Sequence, residues 1–445
     1  MRTDESIALG IPETLLPKAG TDLSRWAVIA CDQFTSDPKY WQKVKEYVGS
    51  SPSTLNLIFP EAFLNEKNPE ARIARIRQHM KRYLEQGLFK EHEGFVYVER
   101  KVGEHTRKGL MVCLDLEHYN FRKGSTSLIR ATEGTILERI PPRVRIREGA
   151  PIELPHIMVL IDDPENTVIG PLAEKKDALE KLYDFELMMR SGHLAGYRVN
   201  DAALETGILN NLKALANPSH FLKKYALKPG TPVLLFAMGD GNHSLATAKT
   251  IWEKAKGAAP DMSILMSSSI RYAMVELVNL HDEALVFEPI HRVLFEIAAG
   301  KDAVQEIFAF YSGRCGYSSA AGLAEMKAAV DGQSEGSHKI GVISPTGFGI
   351  LEVKSPESNL PVGTLQNALD VFMKNKGAKE IDYVHGTEST AELGAKPRNM
   401  AFYLPAMKKT DLFKTVILDG VLPRKTFSMG EAWEKRFYME ARQLA

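Results

Sequence analysis

Along the chain the spacing of apolar positions changes repeatedly, and each change predicts an element. Over 68–86, Ile73, Ile76, Met80, Tyr83 and Leu84 recur at helical spacing among charges, which predicts an amphipathic surface helix. At 94–100 and 108–116 the period becomes strand-like, and the polar stretch 102–107 between them predicts a hairpin. Apolar runs at 26–30, 128–130, 155–163, 231–238 and 272–280 predict further strands, 231–238 being the clearest buried one. Helices are predicted over 173–190, 202–215, 219–225 and 242–256. Beyond about 300, helices (302–311, 320–330) alternate with strands (339–343, 349–353) around an exposed loop at 332–337. The class is therefore α/β with α+β mixing. A chain of 445 residues exceeds one core. We expect an N-terminal α/β region over 1–90, a central motif-bearing domain over 91–298 and a C-terminal α+β region over 299–445.

Composition narrows the function classes. Lys and Arg total 56 and Asp and Glu total 56, so the formal net charge is zero. That argues against a bulk electrostatic grip on nucleic acid or an anionic membrane, but leaves room for a local anion site. Cys31, Cys113 and Cys315 are isolated, which fits a reducing compartment and provides no disulfide framework. The N-terminus has no signal-peptide pattern, and no apolar run is long enough to span a bilayer. A cytoplasmic protein with neither a nucleic-acid nor a membrane partner is expected, and a homo-oligomer is left open.

The chemistry concentrates at Asp240-Gly241-Asn242-His243-Ser244. A buried strand, a glycine turn and a helix start make an anion-binding device, because first-turn amides lack partners and the helix dipole favours negative charge. Asn242, His243 and Ser244 bring polar side chains to the mouth, and His243 is suited to neutralise phosphate or carry a proton. Asp240 beside a phosphate reads as a Mg²⁺ ligand or a base. The competing reading is that Asp240 and Ser244 only cap the helix. The segment is neither a Walker A loop nor a dinucleotide fingerprint.

The stretch 238–248 resembles the signature of the domain-of-unknown-function family 1015, a strand followed by A-D-G-H-H-R and a helix with small residues. Three more stretches resemble that family in the same order. They are Ile129-Arg130-Ala131-Thr132-Glu133-Gly134-Thr135, the run ending Glu288-Pro289-Ile290-His291-Arg292, and Leu422-Pro423-Arg424-Lys425-Thr426. The D-G-H-H-R element is itself similar to the motif of ParB/sulfiredoxin-like folds, which cradle nucleotide phosphates and include free-serine kinases. The resemblance implies a ParB-like central unit flanked by additional α+β regions. Ser244 stands where that motif has an Arg, and Asn242 where it has its first His, so a phosphate clamp must come from elsewhere. Lys249, Arg130, Arg143 and Arg292 are the candidates.

Glu133, just after a strand, reads as a general base for a substrate hydroxyl; a surface turn residue is the alternative. Thr135 and His291 join the candidate substrate contacts, although His291 reads equally as a structural hydrogen-bonder at a helix start. Asp32 and Gln33 close the first strand and are further contact candidates, as is Lys425. No zinc or calcium spacing is present. The leading expectation is phosphoryl transfer or phosphate hydrolysis on a small hydroxylated metabolite, with Mg²⁺ and ATP, ADP or another phosphate donor. Asp240, His243 and Glu133 would be its catalytic groups. The resemblance makes serine or phosphoserine the first substrate to test. The alternative is a non-catalytic regulatory protein that binds a nucleotide or phosphometabolite in the same pocket.

Overall fold

The structure is a computed structural model and describes residues 1–444. It contains two compact units, Met1–Leu285 with Glu431–Ala445, and Val286–Gly430. The first is built on an 11-stranded mixed sheet. Its main path runs Glu180–Glu186, His193–Val199, Phe95–Val102, His105–Asp115, Tyr272–Asn279, Met158–Ile161, Phe236–Asp240, Ile129–Arg130, Tyr119–Asn120. The predicted hairpin is present, with Val98 opposite Gly109 in antiparallel register. Alternation along its strands explains the core. Phe95 and Tyr97 face one apolar cluster while Val96 and Val98 face another, so both faces of the sheet are covered.

The predicted helix at 68–86 is observed as Pro69–Glu85, capped by Asn68 and buried along Ile73, Ile76, Met80 and Tyr83. Three local expectations fail. The stretch 173–190 is mostly not helical; a short helix, Gly170–Glu174, precedes the edge strand Glu180–Glu186, whose exposed side tolerates the charges that suggested a helix surface. The strand predicted over 231–238 begins only at Phe236. Arg130 takes the carbonyls of Pro232 (2.9 Å) and Val233 (3.1 Å), so a side chain holds that segment in place of a neighbouring strand. The run 26–30 is split, with Trp26 ending a short Asp22-capped helix and only Val28–Ile29 extended.

The division into units also differs from the expected three segments. Residues 1–90 share the first unit because Leu9–Ile11 pairs with His105–Asp115. The last residues return to it because Phe437–Tyr438 pairs with Val28–Ile29 and Arg442–Gln443 with Ile152–Glu153. A buried ionic cluster fixes this return. Arg436 bonds the carboxylates of Glu276 and Glu440, and Arg107 reaches Glu276 at 3.3 Å. Burial opposes the Glu276 charge, but Arg107 and Arg436 outweigh it and hold the carboxyl down at about 2.

The second unit carries a seven-stranded sheet in the order Cys315–Ala320, Gly347–Lys354, Ser337–Ser344, Met400–Tyr403, Phe287–Ile297, Ala378–His385. Phe427–Met429 pairs with the start of Phe287–Ile297. His291 and Arg292 therefore lie inside a strand and not at a helix start. Among the described residues no helix is long and apolar enough to cross a membrane.

Candidate functional site

Phe236–Asp240 lies between two strands, antiparallel to Met158–Ile161 and parallel to Ile129–Arg130. The parallel pairing sends both chains off the same edge of the sheet, which brings loop 131–136 against the Gly241 turn. Thr132 Oγ1 donates to the Met238 carbonyl at 2.7 Å, and the Ile136 amide donates to His243 Nε2 at 3.3 Å. Gly241 has φ 80 and ψ 27, and an added Cβ would lie 3.1 Å from Ile157 Cα and Cγ1. Only glycine meets both conditions without strain. The helix Asn242–Ala258 then starts with no side chain capping it.

The residues suited to capping are turned elsewhere. Asp240 accepts the Gly241 amide at 2.8 Å, and its other oxygen lies 3.1 Å from Lys435 Nζ. Ser244 Oγ lies 2.8 Å from His156 Nε2, whose Nδ1 is 2.8 Å from the Tyr438 hydroxyl. Tyr438 also accepts the Cys31 amide at 3.1 Å, and Asp32 stands 3.9 Å from His156. The result is a hydroxyl–imidazole–phenol chain beside an uncapped helix start. Asn242 Oδ1 and Thr135 Oγ1 are buried without a hydrogen-bond partner.

His243 is neutral near neutral pH. Burial, and then the charges of Arg143 and Arg139, push its pKa down to about 4, against a smaller opposing effect from Asp32. Since Nε2 accepts the Ile136 amide, the ring proton sits on Nδ1, and His243 is a hydrogen-bond donor and not a resident cation. The positive charge comes from Arg143, on the helix Ile140–Arg147, and from Lys435. Arg143 pairs with Glu61 at 2.5 Å. Burial raises the Glu61 carboxyl, and Arg143 partly offsets this.

Beside the first helical turn lies a cavity of about 130 Å³. Ser244, Thr247, His156, Tyr438 and the ion-paired Glu61, Arg143, Glu153 and Arg147 form its polar lining, and the remaining lining is apolar.

A family model described as "Protein of unknown function (DUF1015)" matches residues 15–372. The chain belongs to this family. No curated protein matches it. Among solved structures, "Free serine kinase in complex with AMP" is similar at 9% identity, covering 75% of this chain and 92% of that one, with a TM-score of 0.37. A conserved hypothetical protein from Pyrococcus furiosus is similar at 10% identity, covering 72% and 90%, with a TM-score of 0.34.

In this DUF1015 protein the expected site residues separate into two sets. Asp240, Gly241, Asn242, His243, Ser244, Glu133, Thr135 and Arg143 gather at the helix start or on the loop and helix against it, with Asp32 nearby. Arg130 does not join them, because its guanidinium is spent on the carbonyls of Ser127, Pro232 and Val233. Lys249 points away, bonding the Leu116 carbonyl at 2.8 Å and Glu253 at 2.6 Å. His291 and Arg292 are buried in the second unit. His291 Nδ1 accepts the Leu404 amide, and Arg292 donates to Gln366 and to the carbonyls of Ile290, Arg424 and Lys425. His156, Tyr438, Glu61 and Lys435 were missed. Pro155-His156 before a buried strand was a readable signal for the first; Tyr438 and Lys435 carried none.

The donor set does not suit a metal held by protein groups alone. Among the described residues no cluster of three or more His, Cys, Asp or Glu is poised for one, and Lys435 already faces the Asp240 carboxylate.

Proposed function

We propose that this protein transfers a phosphoryl group, either from a nucleoside phosphate to a small hydroxylated metabolite, as a kinase does, or from a phosphorylated metabolite to water, as a phosphatase does. The uncapped start of the Asn242–Ala258 helix carries this reading. The first-turn amides of Asn242 and His243, the Nδ1 donor of His243 and the nearby cations Arg143 and Lys435 make a place for a phosphate. In the forward step the substrate hydroxyl gives its proton to a carboxylate and its oxygen bonds to phosphorus. The donor's P–O bond breaks, and the leaving phosphate carries away the charge. Glu133, on the loop facing the turn, and Asp240, which Lys435 engages, are the two carboxylates proposed for the role of base. Mg²⁺ belongs to this reading only as an ion carried on the donor's phosphates, and no step above depends on it. A ParB-like cradle remains part of the proposal on the strength of the Asp240-Gly241-x-His243 motif.

The test is binding and turnover together. Nucleotides, serine and phosphoserine are screened by thermal shift and by a phosphate-release or nucleotide-coupled assay, with and without Mg²⁺. Asp240→Asn and His243→Ala are run alongside once their folding is verified. Ligand-dependent stabilisation with turnover that the variants lose supports the proposal. The engagement of Asp240 by Lys435 favours a second reading, a non-catalytic sensor, which predicts stabilisation without turnover. Neither binding nor turnover with any of these compounds sinks both.

A further inference from the structure

We infer that the cavity beside the helix start binds the body of the acceptor substrate, and that this acceptor is a compact aliphatic alcohol of about five or six carbons. The inference rests on the phosphoryl-transfer reading and names its substrate class.

Size and lining point the same way. A void of about 150 Å³ lined by aliphatic side chains accommodates benzene. The cavity here is about 130 Å³. Leu57, Phe59, Ile76, Met80, Ile146 and Met274 are among its apolar walls. They come from an N-terminal loop, from the helices Pro69–Glu85 and Ile140–Arg147 and from the sheet, so the hollow has apolar surface on several sides.

The polar lining matches a hydroxyl. Ser244 and Thr247 are three residues apart on one helix face, and both line the cavity. Ser244 is already paired with His156, so a substrate hydroxyl there joins an existing hydrogen-bonded chain. Arg143 lines the same cavity while its charge acts on His243, which ties the hollow to the phosphate side of the helix start. An apolar pocket with a few convergent polar groups is the usual form of a small-molecule site. Serine fits it poorly, since the charged groups of the lining already pair with each other, Glu61 with Arg143 and Glu153 with Arg147, and a buried ammonium or carboxylate would have to break such a pair to gain one.

The probes are inorganic phosphate, phosphoserine, 1-hexanol and the n-alkyl phosphates from ethyl to decyl, titrated into the full chain by calorimetry. Affinity is expected to tighten about fourfold per methylene, level off near six carbons, and leave phosphoserine no tighter than ethyl phosphate. Ala150 lines the cavity, and Ala150→Leu should move the plateau to shorter chains without changing affinity for inorganic phosphate. Phosphate binding with no dependence on chain length overturns the inference and leaves the phosphoryl-transfer reading standing. Hexanol binding without phosphate binding supports the cavity and sinks that reading. Binding of no probe overturns both.

Discussion

Gly241→Ala perturbs the helix start by a single carbon. With φ at 80, an alanine there adopts a left-handed conformation that costs roughly 1–2 kcal/mol. The new Cβ would sit 3.1 Å from Ile157 Cα and Cγ1, closer than the roughly 3.5–4.0 Å of an ordinary carbon contact. The Ile157 side chain can turn aside, but its Cα belongs to the backbone leading into the strand Met158–Ile161, so relief requires the two chains to part. That adds about 1 kcal/mol, at the low end of overpacking costs. The total, about 2–3 kcal/mol, corresponds to a fall in Tm of about 3–5 °C for a unit of about 300 residues. Gly207→Ala is the control. It lies inside the helix Ala202–Leu215 with nothing within 4 Å of its added Cβ, so it should stabilise by about 0.4–1 kcal/mol. Differential scanning calorimetry with and without phosphate measures both effects. Parting the chains moves the first-turn amides, so stabilisation by phosphate should largely vanish in Gly241→Ala and persist in Gly207→Ala. A Gly241→Ala protein with unchanged Tm would refute the conformational argument. One with lowered Tm but full phosphate stabilisation would show that the anion binds elsewhere.

Arg436→Met should cost about 3–5 kcal/mol in urea unfolding, because it takes the paired arginine from the buried Glu440 carboxylate and leaves Glu276 to Arg107; a loss under about 1 kcal/mol would mean water reaches them. Stability should fall as pH drops from about 6.5 towards 4. His243, His291 and His338 have folded pKa values near 4, so in that window the unfolded chain binds protons that the folded one refuses. Below about 4 these three add no further loss, and substituting each by Gln should flatten the slope of a Tm-against-pH plot. Tyr438→Phe removes the partner of both His156 Nδ1 and the Cys31 amide, so a loss of about 1–3 kcal/mol is expected in chemical denaturation.

The central strands and most helices were legible because burial on two faces, or on one helical stripe, leaves a periodic trace. The edge strand Glu180–Glu186 left none, since half of it meets water and its Lys and Glu residues imitate a helix surface. The helix start at Gly241 was legible for a different reason: a glycine turn between a buried strand and a helix has few structural purposes. Its partners were harder. Arg143 stands with Arg139, Arg145 and Arg147 in one short stretch, but nothing in the sequence distinguishes it from Arg130, whose carbonyl contacts depend on the strand pairing. Lys435, Tyr438 and Glu61 arrive through long-range pairing, and no local pattern encodes which distant segment closes a sheet.

The return of the C-terminal segment sets an order of events during synthesis. Lys435 and Tyr438 stand at the helix start, yet they emerge from the ribosome after the entire Val286–Gly430 unit. From Leu285 to Tyr438 is about 150 residues, or about 8–30 s of elongation. Throughout that interval the nascent first unit presents Asp240 without its lysine, His156 without its phenol and Glu276 without Arg436. The half-built site is thus a feature of every molecule's early life, and Arg436, which joins Arg107 in neutralising the buried Glu276, also acts as the latch that ends it.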